Sequence, residues 1–242
     1  MVQDELCFQY PLLALKFPDD ETFASFYPGK NVGLITLLKN SVVGIGEPVL
    51  YMWGETGSGR SHLLHALCSE MDDKGLDIAY IPLAHYQSMA LDIFENMENM
   101  SLVCVDNIDS IAGNKKWEKA LFDFYNRWLD NADNEPLGAS LVLCASGLPK
   151  DIGIELVDLV SRFEWGACYH LLSSNDEEKL GALQLRSQLK GIKLPVDVCR
   201  FLLTRLSREM DILLNTLDKL DNASLEAQRK LTIPFVKEVL QL

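Results

Sequence analysis

Through the first two thirds of the chain, short apolar runs alternate with stretches of helical periodicity; after that, only helical periodicity remains. The runs at 48–53, 77–81, 102–105, 141–144 and 168–171 are four to six residues long and rich in Val, Leu, Ile, Tyr and Cys, which predicts five strands. Leu102-Val103-Cys104-Val105 is apolar at every position rather than at alternate ones. Such a strand is covered on both faces, the arrangement that helical crossovers give a parallel sheet. The predicted class is therefore α/β, with a five-stranded parallel sheet in an αβα sandwich.

Beyond Leu172 the pattern changes. Ser174 and Glu177 have capping-box spacing, predicting a helix to about residue 191. A second helix is expected over 197–206. A third carries Met210, Leu213, Leu214, Leu217 and Leu220 on one face, and Pro234 opens the last. Three segments follow: an arm at 1–20 expected to be flexible, an α/β domain at 21–174 and a small helical domain at 175–242. Trp117, Phe122, Tyr125 and Trp128 recur at helical intervals and read as core.

Charge sharpens the boundary. The 242 residues hold 22 basic and 35 acidic side chains, a net charge of -13. Residues 175–242 contain 11 and 10 of these, so a segment at +1 follows one at -14. That balance argues against autonomous nucleic-acid binding, whose affinity comes largely from neutralising phosphates. No run reaches membrane-span length and the first ten residues lack a signal-peptide pattern, so a cytoplasmic protein without membrane contact is expected. The six cysteines show no CxxC spacing and read as buried small hydrophobes.

The chemistry begins after the first strand. Gly54-Glu55-Thr56-Gly57-Ser58-Gly59-Arg60-Ser61 leads into an apolar helix expected over 62–70 and fits a Walker A loop. Its glycines let backbone N–H groups face phosphate oxygens, and the helix N-terminus adds its positive end. The cradle residues are Gly54, Thr56, Gly57, Ser58, Gly59, Arg60, Ser61 and His62. Arg60 stands where lysine is usual, replacing a point charge with a planar fork. The third strand ends in Asp106, an acidic residue suited to hold magnesium with Ser61. Asn107 follows, and an amide cannot accept a proton from water; Asp109 reads as a solvated loop carboxylate. His62, His65, His85 and His170 have no metal-ligand spacing, and magnesium is the one metal expected.

These motifs resemble the AAA+ family, in the branch containing the replication initiator DnaA and its regulatory inactivators. The likeness extends over Pro18-Asp19-Asp20-Glu21-Thr22-Phe23, Gly59 to His65, Asp106-Asn107-Ile108, Ser161-Arg162-Phe163-Glu164-Trp165-Gly166 and the tail from Gln228. It implies a nucleotide-binding αβα domain with a helical lid. It implies that Arg162 is an arginine finger acting on a neighbouring subunit, that Arg208 is the sensor 2 arginine of the lid, and that Ser146 is sensor 1. In that family the position of Asn107 holds a water-polarising glutamate, so weak intrinsic hydrolysis and a bound diphosphate such as ADP are expected. Gln9-Tyr10-Pro11-Leu12-Leu13 resembles the peptide that docks on the replication sliding clamp, the DNA polymerase III beta subunit, through Gln9, Leu12 and Leu13.

The implied function is a nucleotide-bound regulator that stimulates ATP hydrolysis by DnaA while docked on DNA-loaded clamp. DNA contact is mainly indirect, and a homodimer is left open. An AAA+ helicase loader or clamp-loader-like subunit would share the finger and lid. A self-sufficient P-loop NTPase or kinase would share only the loop, and Arg60 and Asn107 count against it.

Overall fold

The structure, a computed structural model, describes residues 17–132 and 139–242. Gln9, Leu12 and Leu13 lie outside the described residues. All five apolar runs are strands: β1 (Val49–Trp53), β2 (Ile78–Pro82), β3 (Leu102–Asp106), β4 (Ser140–Ala145) and β5 (Ala167–His170). They pair in parallel in the order β2-β3-β4-β1-β5. Because the sheet is parallel, the loops after β1, β3 and β4 emerge at one edge, where open α/β sheets bind ligands.

Helices α1 (Val32–Ser41) and α2 (Arg60–Asp72) cover one face; α3 (Lys115–Ala132) and α4 (Val157–Trp165) cover the other. The pleat sorts the strands between two cores. Val103 and Val105 with Leu141 and Leu143 meet the α3 side, and Cys104, Val142 and Cys144 meet Leu63, Leu64 and Leu67 of α2. Trp117, Tyr125 and Trp128 are buried as expected, and Phe122 packs against the same cluster half-buried. Four of the five described cysteines are buried, but Cys168 is exposed. It lies on β5, the edge strand of the sheet.

The lid is four helices: α5 (Asp176–Leu189), α6 (Val196–Arg205), α7 (Met210–Ala227) and α8 (Ile233–Leu240). Leu183, Leu202, Leu213, Leu217 and Phe235 form a third, separate core. The capping box is one residue later than the spacing suggested. Asn175 accepts from the Glu178 N–H, and the Glu178 carboxylate accepts from the Asn175 N–H, both at 2.9 Å. Asn is as good an N-cap as Ser, so the box could sit in either register by sequence. Thr232 caps α8 ahead of Pro234.

Residues 17–31 tie lid to sheet. Phe17 packs on His65 and Tyr80. Asp20 forms an ion pair with the buried Arg186 of α5, whose Nη1 also donates to the Asp20 carbonyl at 2.7 Å. Asn31 exchanges two 2.9 Å hydrogen bonds with the backbone of Leu172. Among the described residues, no helix is long and apolar enough to cross a membrane.

Candidate functional site

The glycine loop leaves β1 at Gly54, whose N–H donates to the Ala145 carbonyl of β4 at 3.3 Å. Gly57 and Gly59 have φ of +77° and +96°, the left-handed region that only glycine enters at little cost. Helix α2 starts at Arg60, two residues earlier than expected, so its first N–H groups have no intrahelical acceptor and face the loop. The Ser58 hydroxyl and Nη1 of Arg60 are buried without a hydrogen-bond partner, although Arg60 is only 9% exposed. Buried polar atoms are rarely left unmet, and a phosphate supplies the acceptors these two require. The residues present therefore fit a bound nucleotide.

Asp106 is 1% exposed at the end of β3. Its Oδ2 accepts from Ser61 Oγ at 2.6 Å and from Tyr80 Oη at 2.9 Å, and its Oδ1 accepts from the Asn107 N–H at 2.8 Å. The two expected magnesium residues are thus already in contact. Tyr80 is a member of this group that motif spacing did not suggest; it points from β2, the strand next to β3. Burial and the adjacent Asp106 push its phenol far up, so it stays a donor. Asn107 sits in left-handed backbone at φ 56°, where Asn is among the few tolerated non-glycine residues. Asp109 is not a free loop carboxylate: it accepts from the Ser146 N–H at 2.9 Å, joining the loop after β3 to the loop after β4.

The wall opposite is built by residues 21–31 and the lid. His62 turns its ring away from the loop, with Nε2 at 3.0 Å from the Thr22 carbonyl and 3.2 Å from Ser25 Oγ. Burial lowers its pKa. That leaves the His62 backbone N–H as its means of meeting a phosphate. His65 donates to Glu21 at 2.5 Å, a contact that holds the Glu21 carboxyl below its usual value. Phe26 stacks edge-on against His62. Tyr27 lies against Gly181 of α5, where a Cβ would come within 2.6 Å of its ring. Gly181, a glycine inside a helical pattern, is a sequence signal that could have found this approach. Arg208 stands just before α7, exposed, 3.5 Å from Asp176 at the start of α5.

Arg162 belongs to the last turn of α4. Its guanidinium lies 5.8 Å from the ring centre of Trp165, and among the described residues it forms no ion pair. Trp165 is 83% exposed and Val157 is exposed on the same helix. Beneath them, Leu159 and Phe163 are fully buried, with Phe163 against Tyr51 and Tyr125. The helix is anchored by Leu159 and Phe163, and Arg162 lies half-buried at the flank of that inner face.

Two family models account for most of the chain. That of the bacterial DnaA ATPase domain matches residues 19–170. The chain belongs to this family. The Hda lid-domain model matches residues 176–240, so the DnaA-type ATPase domain here carries an Hda-type lid. Domain III of the Thermotoga maritima replication initiation protein DnaA superposes with a TM-score of 0.75 at 19% identity, covering 93% of this chain and 97% of that one. AMPPCP-bound DnaA from Aquifex aeolicus gives 0.68 at 18%, covering 87% and 68%. A RuvB variant from Thermotoga maritima gives 0.68 at 14%, covering 93% and 72%. At such identities the likeness concerns the fold. The protein is an AAA+ protein of the DnaA and Hda type.

Proposed function

We propose that this chain is a nucleotide-bound regulator of replication initiation that stimulates ATP hydrolysis by DnaA in trans. The observation that carries this reading is Arg162, a guanidinium without a carboxylate partner among the described residues, on a helix whose outer face exposes Trp165. Such a group stabilises the charge that develops on a γ-phosphate held by another subunit, an effect of ~10³ to 10⁵ in rate where an arginine finger acts. Family membership supplies the partner class, since residues 19–170 match the model of the bacterial DnaA ATPase domain.

The chain's own site is read as a holder of ADP. Gly54 to Ser61 cradle the phosphates, Arg60 meets one with a forked donor, and Ser61 with Asp106 would hold magnesium, which neutralises phosphate charge when bound. Asn107 offers no carboxylate to a water, so turnover at this site is very weak. Ser146 and Arg208 serve as phosphate sensors from the strand edge and the lid. Gln9, Leu12 and Leu13 dock the arm on the sliding clamp, which keeps the finger near DnaA on replicated DNA by raising its effective concentration.

The test is hydrolysis of DnaA-bound ATP, with and without this protein and DNA-loaded clamp. Wild type accelerates it; Arg162→Ala stays folded and nucleotide-bound yet loses on the order of 10³ in stimulated rate. Arg162→Lys rescues poorly because a point charge cannot span two phosphate oxygens. Full stimulation by Arg162→Ala refutes the mechanism.

A further inference from the structure

Helix α4 has nine residues, too few to be stable alone, and among the described residues its outer face, with Val157 and Trp165, stays exposed. At each of its two ends, α3 meets backbone groups of this segment. At the entry, Glu118, 1% exposed, accepts from the Glu155 N–H with both carboxylate oxygens at 3.1 Å and from the Leu156 N–H at 2.8 Å. At the exit, Tyr125 donates its hydroxyl to the carbonyl of Arg162 itself at 3.0 Å. Glu118 and Tyr125 are seven residues apart, two turns along one face of α3, and so match the span from Leu156 to Arg162 on the helix they hold.

We propose that Glu118 and Tyr125 are positioning residues that fix Arg162 for its action on the partner's nucleotide; this rests on the regulator reading above. Apolar packing by Leu159 and Phe163 holds α4 against the sheet but permits sliding and rotation, because such contacts are not directional. A charged acceptor at one end and a hydroxyl donor at the other remove both freedoms. Glu118 is suited to this because an ionised carboxylate is acceptor-only and meets several N–H groups at once. It also accepts from the Gly113 N–H at 2.7 Å, which joins the finger helix to the segment that follows Asp106 and Asn107. The finger is thereby referenced to the magnesium end of the chain's own nucleotide site. A displacement of about 1 Å in a catalytic group costs on the order of 10²-fold in rate, which sets the scale of the effect.

The experiment compares wild type, Arg162→Ala, Glu118→Gln and Tyr125→Phe in stimulated hydrolysis of DnaA-bound ATP. It is run against protein concentration, with ADP affinity and amide hydrogen exchange measured in parallel. Glu118→Gln puts an NH₂ group among N–H donors; Tyr125→Phe removes one oxygen and keeps the ring packing. Glu118→Gln is expected to lower the maximal stimulated rate on the order of 10²-fold and Tyr125→Phe roughly tenfold. The half-stimulating concentration and ADP affinity stay within about twofold of wild type. In Glu118→Gln the Gly113, Glu155 and Leu156 amides exchange faster. Wild-type maximal rates in both variants, with Arg162→Ala inactive, overturn the positioning role alone. A raised half-stimulating concentration at full maximal rate assigns these residues to docking and also overturns it. Should Glu118→Gln fail to fold, Tyr125→Phe decides. Full stimulation by Arg162→Ala, or none by wild type, removes the regulator reading and this proposal with it.

Discussion

Replacing Gly59 by alanine tests the phosphate cradle at its tightest point. Gly59 has φ +96° and ψ 22°, left-handed backbone that costs a residue with a Cβ about 1–2 kcal/mol. The added carbon would also stand 2.7 Å from Cε2 of Phe26. Ordinary carbon contacts are about 3.5–4.0 Å, so the ring must retreat by roughly 1 Å. Phe26 lies edge-on against His62, 5.3 Å between ring centres, and His62 in turn contacts the Thr22 carbonyl. The strain therefore spreads into the segment that joins sheet and lid. Gly57 is the internal control: its φ is +77° but nothing lies within 4 Å of its Cβ position. Gly57→Ala should cost the backbone part alone, ~1–2 kcal/mol. Gly59→Ala should cost about 2–4 kcal/mol, lowering Tm by roughly 4–16 °C at the 2–4 °C per kcal/mol of a chain this size. ADP affinity by calorimetry should fall on the order of tenfold for Gly57→Ala and about 100-fold for Gly59→Ala, at 1.4 kcal/mol per tenfold. Adding Phe26→Ala to Gly59→Ala should return the ADP affinity toward that of Gly57→Ala. Equal losses in the two single variants, or no recovery in the double, refute the steric argument.

Stability should fall with acid in two stages. Burial lowers the His62 pKa from 6.5, and the His65 contact lowers that of Glu21 from 4.5, so the unfolded chain binds more protons in both windows. Full stability is present above about pH 6.5, declines below it through His62 and declines again below about 4.5 through Glu21; a Tm that rises between pH 6.5 and 5 contradicts this. Asp20→Ala strands the buried Arg186 and should cost about 1–3 kcal/mol, whereas Asp123→Ala breaks the exposed Lys119 pair and should cost less than about 0.5 kcal/mol; equal Tm shifts would show that the lid contact is as weak as a surface pair. Gln9→Ala with Leu12→Ala should abolish retention on immobilised sliding clamp and leave ADP affinity unchanged, and undiminished retention moves the docking site elsewhere.

What could be read along the chain were features fixed by local chemistry. The five strands follow from apolar runs, the loop at 54–61 from glycine spacing, and Asp106 from its place at the end of a buried strand. Contacts made across the sheet left no such mark. Tyr80 reaches Asp106 only because β2 lies beside β3, and Asp109 meets Ser146 only because two loops leave the same edge. Glu118 reads as one more polar residue of α3 until the backbone of residues 155–156 arrives above it. His62 and His65 were set aside for want of metal spacing, yet both join α2 to the segment ahead of α1. The capping box was displaced by one residue because Ser174 and Asn175 are equally able caps.

The proposed phosphate cradle and finger place opposite demands on their arginines, and the chain meets them by different means. Arg60 is buried at the start of α2, where desolvation strengthens its interaction with an anion. On the proposed reading, Arg162 has to reach a partner with its donors free, in a chain where 35 acidic side chains outnumber 22 basic ones. Asp158 stands four residues before it on α4, the favourable orientation for a helical ion pair, yet the two are not among the ion pairs of the described residues. The guanidinium lies over Trp165 instead. An aromatic face attracts a cation without neutralising it or consuming its N–H donors, at about 0.5–1 kcal/mol for an exposed site. That is weak enough to be surrendered when a phosphate, which pairs far more strongly with a forked donor, comes within reach. On the proposed reading, Trp165, 83% exposed, holds Arg162 in place until a partner's phosphate takes over the contact.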